Sequence, residues 1–112
     1  MITPRIDALA DILVQHSTRV TSGDFVLIDG NTSAAPLLLS CYRKVLEAGA
    51  NRRLNVGFEE AQELLLTHGS DAQLDFLDPV SKFQADSIQA AIRIRSTDNT
   101  RALAEIDPTR LA

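Results

Sequence analysis

The stretch GDFVLIDGNT, residues 23–32, decides the fold class of this 112-residue chain. Its centre, residues 25–28, is an unbroken apolar run, which predicts a short strand covered on both faces, as in a parallel sheet. Turn-forming Gly and Asp residues precede the run, and Asp29-Gly30-Asn31-Thr32 follows it. We therefore expect a buried strand that leads directly into a polar loop.

Helical patterns surround this strand on both sides. Residues 3–19 have apolar positions at helical spacing, and Thr3 and Pro4 suit the cap and first turn of a helix. A second helix is expected from Ser33 to Gly49, where glycine suits the left-handed end of a helix. Further helices are predicted at residues 59–67, from the capping box that begins at Ser70, and from Asp78-Pro79.

Two more strands complete the predicted sheet. Residues 52–57 form the second, and residues 88–94 form the third, whose apolar and polar alternation is typical of a strand at or near a sheet edge. Alternating strands and helices predict an α/β domain of three layers, with a parallel sheet of about three strands in Rossmann-like or flavodoxin-like order. Asp107-Pro108 predicts the start of one more helix.

The composition excludes several classes of function. The formal net charge of -4 and the sequence pI near 5.0 argue against a nucleic-acid partner, which favours a basic surface. No apolar stretch approaches the roughly 20 residues that a membrane helix needs. The single cysteine, Cys41, lies in an apolar helical run and is expected to be a buried, unreactive thiol. Without an N-terminal signal pattern, we expect a cytoplasmic protein.

The sequence offers few residues for catalysis. A catalytic metal usually needs three or more converging His, Cys or carboxylate ligands, but His16 and His68 have no other His or Cys at ligand spacing. A nucleophile elbow and a phosphate-binding glycine loop are also missing from the sequence. We therefore predict no catalytic residue, no metal ligand and no cofactor in this chain.

One group of polar residues could bind a ligand. In open parallel sheets, ligands bind beyond the carboxyl ends of the strands, where the strand order reverses. If the first strand is central, the loops after the first and third strands adjoin each other. Because these residue types also favour helix caps and turns, that structural role is the alternative. The candidate residues are Asp29, Asn31, Thr32, Asp98, Asn99 and Thr100.

Several segments, in order along the chain, carry a resemblance to a known family. They are residues 4–6 with 9–10, 20–28, 42–50, 70–76, 99–103 and 107–112. Taken together, they resemble the N-terminal region of the thermophilic metalloaminopeptidases of the aminopeptidase T and aminopeptidase S type. The resemblance implies a homodimeric exopeptidase that releases N-terminal residues from peptides with two divalent metal ions, zinc, cobalt or similar.

In this family the metal ligands come from the C-terminal part of the chain, so no residue here inherits a catalytic role. The resemblance implies that residues 1–112 are a single N-terminal α/β domain, a fragment of a longer two-domain chain that binds peptides. Two alternatives stay open. The chain could be a stand-alone interaction or oligomerisation domain derived from the same fold, or the N-terminal domain of a related ring-cleaving dioxygenase.

Overall fold

The computed structural model of the protein describes residues 3–95 and 105–111. From residue 3 to residue 95 the helices and strands follow the predicted order. The helices are α1 (Pro4–Asp11), α2 (Ala35–Glu47), α3 (Glu59–His68), α4 (Asp71–Asp75) and α5 (Pro79–Ser87). The strands are β1 (Phe25–Asn31), β2 (Asn51–Gly57), β3 (Ala90–Arg95) and β4 (Glu105–Arg110).

The first helical segment continues beyond α1 into a π-helical turn, Ile12–Ser17. It ends at Arg19, which adopts a positive φ of 51°, and the Val20 N–H donates to the Val14 carbonyl to close the turn. This left-handed ending, usually made by glycine, is made here by arginine. The predicted helix over residues 3–19 is therefore confirmed, with a wider last turn.

The sheet has the strand order β2-β1-β3-β4. β1 pairs in parallel with both β2 and β3, which confirms the α/β class and the parallel pairing of the three predicted strands. The first strand is therefore flanked on both sides, which is the arrangement under which a ligand crevice was expected. The order 2-1-3 of the parallel strands is that of flavodoxin-like folds. Among the described residues no helix is long and apolar enough to cross a membrane.

The prediction of a helix start at Asp107-Pro108 was wrong. Both residues lie in β4, which pairs antiparallel with β3 and places Pro108 opposite Ile92. β4 is the edge strand of the described sheet, where proline is tolerated because a central strand would need its missing N–H. The third strand was predicted at or near a sheet edge, and β3 lies next to the edge strand β4, with Ile92 and Ile94 buried.

The main core lies on one face of the sheet, under α1, the π-helical turn and α2. Alternate strand residues face these helices, as the two-residue period of a strand requires. Cys41 is fully buried there, as predicted, and burial raises the pKa of its thiol to about 12. The largest fully buried aliphatic side chains are Ile28, Leu38, Ile92, Ile94, Val14, Val26 and Val45.

The opposite face is covered less completely. Leu27, Ile88 and Ala91 are buried there with Phe25 beside them, and the Asn55 amide of β2 donates to Gln84 of α5 at 3.2 Å. The crossover segment, residues 58–88, contains α3, α4 and α5, none of which has a buried residue along its full described length. The predicted three-layer arrangement is therefore complete on one face only.

Candidate functional site

A crevice of about 570 Å³ opens at the carboxyl ends of β1, β2 and β3. Phe58, the first residue after β2, forms an apolar part of its wall. The crevice lies where the chain turns from one face of the sheet to the other, because α2 connects β1 to β2 and the crossover segment connects β2 to β3. Its polar lining comes from Asp29, Asn31, Glu59, Gln62, Arg93 and Arg95.

Gly30 fixes the floor of the crevice. A Cβ atom at this position would lie 2.8 Å from the Ile94 carbonyl oxygen and 3.0 Å from a methyl group of Leu38. Only glycine therefore lets β1 approach β3 and α2 this closely. The tight packing on the α2 side holds the last residues of β1 in place, with Asp29 lining the crevice on the other side.

Asp29 lies opposite Arg93 in the parallel register of β1 and β3. Partial burial raises the pKa of the Asp29 carboxyl, and this effect outweighs the positive charges of Arg93 and Arg95 and the hydrogen bond from the Gly30 N–H. Asp29 is thus a partly desolvated carboxyl, and the two nearby guanidinium groups offset only part of the effect of burial on its pKa.

Two polar groups of the crevice lack hydrogen-bond partners within the described part of the chain. The Oε1 atom of Glu59 is buried there and accepts no hydrogen bond. The half-buried Arg93 donates no hydrogen bond to a described residue, and its charge attracts the Asp29 carboxyl across the β1–β3 register. Buried polar atoms nearly always form a hydrogen bond to protein, water or ligand. The Glu59 Oε1 atom can therefore accept a hydrogen bond from a ligand in the crevice.

The structure brings some of the predicted candidates together. Asp29 and Asn31 line the crevice. Thr32 lines an adjoining cavity of about 370 Å³, together with Asn31 and Glu59. Asp98, Asn99 and Thr100 lie outside the described residues. Ligand binding by any of these six residues stays a prediction.

Sequence reasoning missed Glu59, Gln62, Arg93 and Arg95 as members of the site. For Arg93 a signal existed, because it is a charged residue between two isoleucines in the predicted third strand. Glu59 and Gln62 line the crevice only because of the direction that α3 takes after β2. No local sequence pattern predicts that direction.

The donors for a catalytic metal centre do not fit. Within residues 3–95 and 105–111, no group of three or more His, Cys, Asp or Glu side chains is placed to hold a metal ion. His16 lies in the π-helical turn and His68 ends α3, so the two imidazoles belong to separate parts of the molecule. We derive no metal-dependent step from these residues.

Comparison with known proteins gives one finding. The chain matches the thermophilic metalloprotease (M29) family over residues 2–112. No curated protein matches it. The family match covers nearly the whole chain, including the crevice, the core and the crossover segment. The chain belongs to the thermophilic metalloprotease (M29) family.

Proposed function

We propose that this chain is the N-terminal, non-catalytic domain of a metal-dependent aminopeptidase. The enzyme releases N-terminal amino acids from peptides, and two divalent metal ions held outside residues 1–112 carry out the hydrolysis. Membership of a metalloprotease family supports the peptide substrate and the metal chemistry of the whole enzyme. The buried free thiol of Cys41 is compatible with a cytoplasmic location.

The family match over residues 2–112 carries the aminopeptidase part of this proposal, and the apolar surface of the crossover segment carries the dimer part. Large side chains there face solvent, with Leu77 at 88% and Phe76 at 69% exposure. Contiguous exposed apolar patches on a soluble protein mark sites that another surface covers. We call these residues the crossover surface: Leu64, Leu65, Leu66, Leu74, Phe76, Leu77, Val80 and Phe83.

A groove between α3 and α4 lies within the crossover surface. Leu64, Leu65 and Phe76 line it, with His68 and Gln73 at its margin, and its volume is about 620 Å³. We propose that a second copy of the chain occupies this groove and forms the homodimer. A self-complementary apolar patch is what a two-fold dimer interface requires.

An activity assay tests the first part of the proposal. Purified chain supplied with zinc, cobalt or manganese is expected not to hydrolyse aminoacyl-anilides, because the described residues gather no metal-ligand group. The measurement is anilide release with and without each metal, with an established aminopeptidase as positive control. Robust metal-dependent turnover by the purified chain would contradict a non-catalytic role.

Light scattering after size exclusion tests the dimer. The wild-type chain is expected to elute as a dimer, and Leu64→Glu with Phe76→Glu to elute as a monomer because two charges would be buried at the interface. Leu39→Glu is the matched control, since Leu39 is 53% exposed on α2, away from the groove. A monomeric wild-type chain, or a double variant that still dimerises, would exclude this interface.

The second candidate function is a stand-alone oligomerisation domain that kept the fold without the enzyme. The same exposed apolar surface favours it. The coding sequence downstream of Ala112 separates the two: a segment with Glu and His ligands supports the aminopeptidase, and a stop codon supports the oligomerisation domain.

A further inference from the structure

We propose that the crevice binds a free α-amino acid, with its ammonium group at Asp29 and Glu59 and its carboxylate at Arg93. The charges of the crevice carry this assignment. The biological source of the ligand rests on the proposed function, because a free amino acid is the product that an aminopeptidase releases.

The acidic side of the crevice suits an ammonium group. Asp29 is half-buried, and the Oε1 atom of Glu59 is buried without a hydrogen-bond donor among the described residues. An ammonium group brings three donors, which could satisfy both carboxylates at once. A ligand without a hydrogen-bond donor would leave the buried Oε1 atom of Glu59 unsatisfied.

The basic side suits a carboxylate. A guanidinium group presents paired N–H donors that match the two oxygens of a carboxylate. Arg93 lines the crevice, and its guanidinium group attracts the Asp29 carboxyl without a direct hydrogen bond between them, so its paired donors can reach a ligand carboxylate. A simple cation would meet repulsion from Arg93 and Arg95, and a simple anion repulsion from Asp29 and Glu59, so the mixed lining favours a ligand with both charges.

The position of Asp29 and Arg93 on neighbouring strands favours a single amino acid over a longer peptide. Asp29 and Arg93 are register partners on adjacent parallel strands, which lie about 4.8 Å apart. The ammonium and carboxylate of one α-amino acid are similarly close, whereas those of an extended peptide are farther apart. The volume of about 570 Å³ leaves room for a side chain against Phe58.

Titration with free leucine, followed by two-dimensional amide NMR of the full chain, tests the inference. Leucine is expected to cause saturable shifts at Gly30, Asn31 and Gly57. N-acetyl-leucine lacks the ammonium group and leucine amide lacks the carboxylate, so each should bind about tenfold more weakly or worse. Equal shifts with either blocked analogue would overturn the assignment, as would the absence of saturable shifts with leucine.

Variants locate the site. Asp29→Asn and Arg93→Gln are each expected to weaken leucine binding by about tenfold or more, whereas Arg93→Lys should retain part of it. Arg52→Gln is the control, because Arg52 lies over the Tyr42 ring in a separate pocket. Thermal melting identifies any variant that fails to fold. If Asp29→Asn does not fold, Arg93→Gln, at a partly exposed position on β3, tests the site in its place. Unchanged binding by a folded variant would overturn the site.

Failure of this inference is distinguishable from failure of the proposed function. The two tests of the proposed function, the anilide assay and light scattering, do not involve Asp29 or Arg93. A chain that dimerises through the crossover surface and lacks activity, but does not bind leucine, would refute only the crevice assignment.

Discussion

The two faces of the sheet use apolar residues differently. On the α1–α2 face, Leu38 and Ile28 are buried almost completely, whereas Leu77 and Phe83 on the crossover segment are 88% and 74% exposed. Since burial of apolar area stabilises a fold by about 25 cal/mol per Å², only the first face contributes much to the stability of the single chain. The crossover segment keeps its apolar area available for another surface.

This difference separates stability from binding within one small domain. The tight α1–α2 face positions β1, and β1 in turn positions Asp29 at the crevice. The loosely covered face provides the groove and the open side of the crevice. Substitutions on the first face should therefore change the free energy of unfolding, and substitutions on the second should change association or ligand binding.

The largest expected effect comes from a matched pair of leucine truncations. Leu38→Ala should lower the free energy of unfolding by about 3–5 kcal/mol, because it leaves a cavity between α2 and the sheet. Leu77→Ala should change it by less than about 0.5 kcal/mol. Urea unfolding followed by circular dichroism measures both. Similar losses for the two variants would mean that the crossover segment is packed in solution.

A pair of glycines gives the next largest effect. Gly30→Ala places a methyl group 2.8 Å from the Ile94 carbonyl oxygen, which should cost about 1–3 kcal/mol through backbone displacement. Gly57→Ala meets no atom within 4 Å and should be neutral to within about 1 kcal/mol. Both lie at the ends of neighbouring strands, so the comparison isolates packing on the α2 side. A neutral Gly30→Ala would show that β1 has room to move.

Much of the fold could be predicted from local pattern. The unbroken apolar run of residues 25–28 indicated a strand covered on both faces. Pro4, Gly49 and the capping box at Ser70 indicated helix ends that the structure confirms. Asp107-Pro108 misled because its helix-start signal is local, whereas its strand conformation comes from pairing with distant β3. The predicted helix over residues 59–67 is confirmed as α3, but its sequence pattern did not show which surface covers its apolar side chains.

The candidate site was predictable only in part, for a related reason. Asp29 and Asn31 were expected in the loop after the first strand, but β1 extends through both residues, so they lie at its carboxyl end. They line the crevice because ligand crevices in open parallel sheets open at that end of the strands. Glu59 and Arg93 enter the site because β2 and β3 flank β1, and that adjacency is a property of the folded sheet. A single sequence shows the polar residues of a site but not which of them meet.

The ion pair between Asp24 and Arg110 of the edge strand should have a smaller effect on the free energy of unfolding, and this effect should depend on pH. Arg110 of β4 donates to both carboxylate oxygens of Asp24, and the Thr21 N–H adds a hydrogen bond of 2.9 Å. The hydrogen bond from Arg110, opposed by partial burial and aided by Thr21, lowers the pKa of Asp24 below its ordinary value of 3.8. Asp24→Asn should therefore destabilise the chain by about 1–2 kcal/mol at neutral pH.

The sign of the pH dependence follows from the lowered pKa. The folded state holds the proton of Asp24 less tightly than the unfolded state, so the contribution is complete above about pH 5 and is lost as the pH falls below about 4. The unfolding free energies of wild type and Asp24→Asn should converge over that range. Asp86→Asn, in an exposed pair with Lys82, is the control and should show little difference at any pH. A constant gap between wild type and Asp24→Asn would contradict this role.

The smallest expected effect compares two serines on the two faces. Ser40 is fully buried on α2 and donates to the Asp7 carboxylate of α1 at 2.7 Å, while exposed Ser81 donates to Asp78 at 3.0 Å at the start of α5. Ser40→Ala should cost about 0.5–1 kcal/mol, since the lost charged hydrogen bond outweighs the better helix propensity of alanine. Ser81→Ala should be neutral within about 0.5 kcal/mol, because water replaces its hydrogen bond. Chemical denaturation with replicate midpoints resolves the difference. If Ser81→Ala were the more costly substitution, the crossover segment would hold structure through its polar contacts, and the division between a stabilising face and a binding face would fail.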